Sequence, residues 1–378
     1  MKKLFRSLAL LSMLSAPAFA ADKTPANPDQ KLQVKQERPV LDVVFVLDTT
    51  SSMGGLIDGA KQKIWSIASR MATGTPTPEV RVGLVAYRDQ GDAYVTKVVP
   101  LTKDLDSIYS QLMGFRAEGG GDGPEAVQDG LSDAVNKMQW SDSKKVAKMI
   151  FLVGDAPAHD QDKAKLFDAA QKAIKAGIVV NTVRCGADDT TKGQFVQVAK
   201  LADGHFDSIA ESGGVVAMAT PYDADLAKLN GELMDTALYA GAAPAQKKAE
   251  LRRSDAKALE APAAADRISF MSKSGGGRAA SGAEAVGAID LADEPEKAAK
   301  MKKEELPTAM QGMDEGQRVK FAQDQQVKRQ GIEKKITELS KKRDDFVAKQ
   351  AKETKDSFDE RVFESVKTEA APAGVAYH

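Results

Sequence analysis

The stretch "VVFVLDTTSSM" (residues 43–53) carries five apolar residues, Val43 to Leu47, straight into Asp48 and the four hydroxyls of Thr49, Thr50, Ser51 and Ser52. The apolar run has no polar alternation. It therefore reads as a strand covered on both faces, the kind that belongs to a parallel sheet flanked by helices. Open α/β sheets put their ligands beyond the carboxyl ends of such strands. A cluster of oxygen donors at that end suits a hard cation.

Outward from this strand, apolar runs alternate with helical periodicity. Strands are expected at 41–47, 80–87, 94–99, 146–153, 178–184 and 205–209. A helix over 56–71 has Leu56, Ile57, Ala60, Ile64, Ile67, Ala68 and Met71 on one face. Another over 124–138 starts with Pro124 at its first position and buries Val127, Leu131, Ala134 and Met138. Phe167, Ala170 and Ile174 mark a third helix, and Phe195, Val198, Ala199 and Ala202 a fourth. Leu226, Leu229, Leu233 and Ala237 mark a last one. The pattern predicts a doubly wound, mostly parallel α/β sheet. The strand at 94–99 follows its predecessor too closely for a helical crossover, so it is expected as an antiparallel edge strand reached by the turn at Gln90–Asp92.

The flanking segments differ in composition. Residues 1–20 pair a basic start (Lys2, Lys3, Arg6) with a short apolar core and Ala18-Phe19-Ala20, the pattern of a cleaved signal peptide. The apolar run is too short for an anchor, and no later segment is long and apolar enough to span a bilayer. A periplasmic or secreted bacterial protein is expected. Residues 21–40 read as a flexible leader and residues 241–315 as an Ala-, Gly- and charge-rich linker. Residues 316–361 read as a long charged helix with Ile332, Ile336, Leu339 and Phe346 on one stripe, interrupted by Arg343. That helix suits a coiled coil, a docking element or a solvated helix packed on its own domain. Residues 362–378 are expected to be a disordered tail. Only six aromatic residues lie beyond residue 240, which argues against a compact core there. Without Lys2, Lys3 and Arg6, 50 basic residues face 54 acidic ones, and the net charge of −4 gives no reason to expect nucleic acid as a partner. The lone Cys185 excludes an intramolecular disulfide and is expected as a buried small hydrophobe.

Three stretches meet at the strand ends: Asp48 to Ser52, "EGGGDGPEA" (residues 118–126) and Gly154-Asp155 after the apolar run 149–153. In a doubly wound sheet, Asp48 and Asp155 should face one another across the switch point, with Thr50, Ser52 and Asp122 above them. Carboxylates held together repel unless a cation intervenes. Carboxylate and hydroxyl oxygens without His or Cys suit Mg²⁺, Mn²⁺ or Ca²⁺ and disfavour zinc. The competing readings are local. Asp48, Thr50 or Ser52 could cap the next helix, Asp122 could stiffen a glycine-rich turn, and Asp89 and Asp92 read as turn formers. His159 and His205 have no spacing partner.

"DTTSSM", "AYRDQGD" (86–92), "GGGDGPEA" and "GDAPAH" (154–159), taken in order, make residues 41–240 resemble the von Willebrand factor type A domain, in particular the alpha-kinase-associated and hemicentin-like branch. The resemblance implies a Rossmann-like fold and a metal-ion-dependent adhesion site. In that site, Asp48, Thr50 and Ser52 match the Asp-x-Ser/Thr-x-Ser motif, Asp155 matches the third loop, and Asp122 stands about where a threonine is expected. It also implies a divalent cation, Mg²⁺ first with Mn²⁺ or Ca²⁺ as alternatives, whose open position takes an Asp or Glu carboxylate from a partner protein. A first shell of neutral hydroxyls would leave such an ion electron-poor, whereas Asp122, if it coordinates, would hold the metal more tightly and weaken its pull on a partner acid. No nucleophile–base–acid set, HExxH, GxSxG or phosphate loop is present, so the expectation is a binding module and not an enzyme. A scaffold with a vestigial metal site and a metal-assisted hydrolase are the alternatives, and self-association through the C-terminal helix is a further expected contact.

Overall fold

Strand β1 (Val40–Asp48) lies inside a six-stranded sheet with β2 (Glu79–Tyr87), β3 (Thr96–Thr102), β4 (Val146–Gly154), β5 (Ile178–Cys185) and β6 (Phe206–Ile209), in the order β3-β2-β1-β4-β5-β6. All neighbours run parallel except β3, which pairs antiparallel with β2 and forms an edge. The computed structural model describes residues 38–121, 123–142, 145–209, 220–274, 281–354 and 357–377. The signal, most of the leader and Asp122 lie outside them.

The unbroken apolar run of β1 divides by the two-residue period of a strand. Leu41, Val43, Phe45 and Leu47 enter one core, and Val44 and Val46 the other. Phe45 stacks on Phe151 of β4 with ring centroids 5.4 Å apart. The first core is covered by α1 (Ile57–Met71) and α2 (Leu105–Gly114), the second by α3 (Val127–Lys137), α4 (Lys163–Lys175) and α5 (Asp189–Leu201). Helix α3 begins later than its proline suggests. Glu125 bridges Ala158 in parallel register and Ala126 precedes the first helical residue, so Pro124 sits in the loop and not at the first helical position.

The larger departure lies beyond residue 220. The segment expected as a linker folds into α7 (Ala243–Lys257) and α8 (Ala261–Ser274), preceded by α6 (Asp223–Met234), and a two-stranded ribbon joins β7 (Tyr239–Ala240) to β8 (Ile289–Asp290). The long charged helix is α9 (Glu315–Thr354), and the segment expected as a tail belongs to α10 (Ser357–Ala370) and the turn after it. Val362, Phe363, Val366, Ala370, Ala373 and Val375 are buried in the same core as β1, and Tyr377 donates to the carbonyl of Met71 at 2.8 Å. Ile332 and Ile336 of the α9 stripe join that core, so the stripe is covered within the chain.

Arginines make this packing work. Arg343 does not interrupt the stripe; it is largely covered and bridges Asp223 (2.8 Å) and Asp266 (2.7 Å). Arg267 is 2% exposed, forks onto both oxygens of Asp106 at 2.6 Å and donates to Asn230 at 2.7 Å. Arg329 clamps Asp290 (2.7 Å), Asp293 (2.6 Å) and Thr236 (2.9 Å). The Arg267 fork matches one carboxylate, whereas Arg329 and Arg343 each bridge two, and each satisfies several donors at once. Among the described residues no helix is long and apolar enough to cross a membrane.

Removing one partner of such a buried pair strands the other's charge, at a cost of roughly 3–5 kcal/mol. Arg329→Ala is expected to lower unfolding free energy by about that amount in urea denaturation. A loss under ~1 kcal/mol would mean that the clamp is solvated and that the fold does not rely on it.

Candidate metal centre

The chain leaves β1 towards α1 on one face and β4 towards α4 on the other, which opens a crevice between the two strand ends. Leu47 pairs with Val153, so Asp48 emerges beside Gly154 and ahead of Asp155. Gly154 is needed there. A Cβ would overlap the Tyr87 hydroxyl and stand 3.1 Å from Asp48 Oδ2.

Four oxygens form a continuous chain across the crevice. Thr50 donates to Asp48 Oδ1 through its N–H (2.9 Å) and its hydroxyl (2.6 Å), and Ser52 Oγ donates to Asp155 Oδ1 at 3.0 Å. Both hydroxyl protons then point at carboxylates, while Thr50 Oγ1 and Ser52 Oγ face one another at 3.1 Å with lone pairs. Adjacent oxygens around an octahedral Mg²⁺ with bonds of 2.0–2.1 Å are about 3 Å apart, which is this spacing. Thr49 turns away, bonding the Tyr87 carbonyl (2.9 Å) and the Tyr94 hydroxyl (2.8 Å).

The glycine-rich loop is tied over the crevice. Ser51 N–H donates to the Gly119 carbonyl and Glu118 N–H to the Thr49 carbonyl, both at 3.0 Å. Asp92 accepts from the N–H groups of Asp89 (3.0 Å) and Gly120 (2.8 Å), which makes it a turn former as its sequence context suggests. Asp89 pairs with His159 Nε2 at 2.9 Å. A cleft of about 520 Å³ results, lined by Ser52, Asp155, Glu125 and the glycines of the loop, with Asp188 and Thr190 at its rim. Asp48, Thr50, Ser52 and Asp155 are thus brought together. Asp122 lies outside the described residues. Glu125 escaped the sequence reading because its neighbour Pro124 suggested a helix start. The signal available was an acid inside the same glycine-rich string.

The electrostatics are those of crowded acids. Burial, opposed by the Thr50 hydrogen bonds and reinforced by the Asp155 charge, pushes Asp48 up to about 7. Burial together with Asp48, Asp89, Asp92 and Asp155 pushes Glu125 up to about 8. Burial also raises the Tyr87 phenol, which lies beside Asp48. Among the described residues, Asp48 Oδ2, Tyr87 Oη and Glu125 Oε2 are buried without a hydrogen-bond partner. Among the described residues no three His, Cys, Asp or Glu side chains converge as a metal cage on their own. The donor set is therefore mixed, two carboxylates bridged by two hydroxyls, and it suits a hard oxygen-seeking cation better than zinc.

Residues 42–221 match the family model of the von Willebrand factor A domain. The chain is 37% identical over 128 residues to human von Willebrand factor A domain-containing protein 7, covering 34% of this chain and 14% of that protein. It is 25% identical over 146 residues to the alpha-protein kinase vwkA of Dictyostelium discoideum, covering 38% and 23%. The chain thus spans less than a quarter of the length of these curated relatives. Among solved structures it is similar to proximal thread matrix protein 1 from the mussel byssus with a zinc-occupied MIDAS motif, at 17% identity and TM-score 0.37, covering 46% of this chain and 42% of that one.

A buried acid whose folded pKa lies above its unfolded value keeps a proton that the unfolded chain gives up. Its share of stability is intact below about pH 4 and is lost as pH rises through about 7. Glu125 acts in the same direction, up to about 8. In EDTA, the protein is expected to be less stable at pH 8 than at pH 5, by a few kcal/mol at most on the scale of ~1.4 kcal/mol per pKa unit. Asp48→Asn is expected to flatten the slope. Denaturation curves at the two pH values decide it, and equal midpoints would contradict the assignment.

Proposed function

Because residues 42–221 form a von Willebrand factor A domain, a protein-interaction module, we propose that this chain is an exported, periplasmic or secreted adaptor. In this reading its crevice holds a divalent cation, Mg²⁺ foremost, and engages a carboxylate on a partner protein. The observation that carries the proposal is the chain Asp48–Thr50–Ser52–Asp155, with links of 2.6, 3.1 and 3.0 Å and two hydroxyl lone pairs facing each other. When bound, the cation supplies a Lewis-acidic position for a partner's acid.

The chain's own residues do the rest. Asp48 and Asp155 draw the hydroxyl protons away from the crevice and so orient the lone pairs of Thr50 and Ser52. Asp92 holds the glycine-rich loop in place above them through the Gly120 N–H. Ser51 and Ser52, each more than a third exposed, put the site within reach of a large partner. In this reading the site binds and releases a partner.

The test has two arms. Mg²⁺ or Mn²⁺ is expected to raise the melting temperature of the wild-type chain and not that of Asp48→Ala. In a pull-down from periplasmic extract, a partner is expected to be retained in Mg²⁺, released by EDTA and absent with Asp48→Ala. Equal capture with and without chelator would overturn the metal-dependent reading.

A further inference from the structure

Helix α10 crosses the sheet on the face that carries Met149 and Val183, where its Val362, Val366 and Ala370 enter the apolar core. Two polar tethers, about two helical turns apart, join it to the strands. Arg361 donates to Asp207 of β6, and Glu369 Oε1 accepts from Asn181 Nδ2 of β5 at 2.9 Å. The chain then closes as a strap: Ala376 bridges Thr75 antiparallel, and the Tyr377 hydroxyl reaches the Met71 carbonyl.

The two tethers differ in charge. Burial raises Asp207, but it faces the Arg361 guanidinium and the His205 ring, which favour its charged form. Glu369 has no such help. Its Oε2 is buried and has no hydrogen-bond partner. Asn181 cannot turn to serve both oxygens, because its Oδ1 already accepts the His205 N–H at 2.9 Å. The other charged or titratable groups on the elements around α10 are engaged elsewhere. Arg70 of α1 lies over the Phe363 ring at 3.8 Å, Lys367 pairs with Glu364 at 2.6 Å, and the Tyr377 phenol is raised by its own burial. None of these acts on Glu369. Burial, opposed only by the Asn181 hydrogen bond, pushes it up to about 7. A charged carboxylate in that position is costly, and a proton on it removes the cost.

We propose that the C-terminal strap, residues 357–377, is a proton-operated clasp: a neutral Glu369 seats α10 on the sheet, and ionisation of Glu369 loosens it. The sign follows from burial. In an opened strap Glu369 meets water and returns to its ordinary value of 4.5, whereas the seated residue stays protonated up to about 7. The seated state therefore binds the proton more tightly. Its advantage is intact below about pH 4.5 and is lost as pH rises through about 7. The apolar anchors Val362, Phe363 and Val366 remain in place, so the clasp changes how often the strap opens and does not discard it.

The crevice acids at the opposite ends of the strands titrate in the same direction, so the test is local. Hydrogen–deuterium exchange of the full chain in EDTA, at pH 5 and pH 8.5 and corrected for the intrinsic rate at each, compares peptides from 357–377 with peptides from α3. In the wild type, strap protection is expected to fall about tenfold or more between the two pH values, and further than that of α3. Glu369→Gln keeps an acceptor for Asn181 and loses the charge; Glu369→Leu is a second uncharged variant. In both, strap protection is expected to change no more than that of α3. Wild-type strap protection that falls no further than α3 overturns the proposal. A strap-specific fall that persists in either uncharged variant overturns it too, and assigns the effect to the Asp207–Arg361 pair.

Discussion

A carboxylate with no exposed surface, Asp48, stands at the end of a strand that has water on neither face. Everything at the crevice answers to that placement. The charge cannot be solvated, so Thr50 folds back to give it two hydrogen bonds, Ser52 continues the chain to Asp155, and the glycine-rich loop closes overhead. The parallel register fixes Asp48 beside Gly154, and the small residue there lets Tyr87 and Asp48 share one buried corner. An acid in such a place favours the proton or a cation, and the two compete for the same oxygens.

Beyond residue 220 the fold uses charge in a different way. The segment is rich in Ala, Lys, Arg, Asp and Glu, yet it covers one face of the sheet and enters its core. Largely covered arginines join its helices to aspartates elsewhere in the chain: Arg267 to Asp106, Arg343 to Asp223, Arg329 to Asp290. Such pairs are weak sources of net stability compared with apolar contacts, but once made they are costly to break. The C-terminal half is therefore part of the same compact unit as the sheet, not an appendage to it.

The sheet was legible because its signals are local. A short apolar run without alternation, such as that of β1, reads as a strand covered on both sides, and such runs separated by helical periods leave few topologies. The observed bounds lie within a few residues of the expected ones, and β3 is the antiparallel edge that its short connection required. At the crevice, the residues of the first motif and Asp155 could be named because each follows directly on a strand end. Glu125 could not, since its place comes from Ala158 and Gln194, distant residues that hold it in the loop where Pro124 suggests a helix.

The sequence by itself determined the order of strands and helices, the oxygen-rich string after β1 and the acid after β4, because strand period, helix period and chain proximity act over a handful of residues. Only the tertiary structure decided which charged residues are buried, which oxygens touch and where the last hundred and fifty residues go. The burial of an arginine depends on an aspartate more than a hundred positions away, and no local pattern encodes that partner. At the crevice the Asp48–Thr50 and Thr50–Ser52 links are local, two residues apart in the chain, and only the Ser52–Asp155 link is set by the register between two strands.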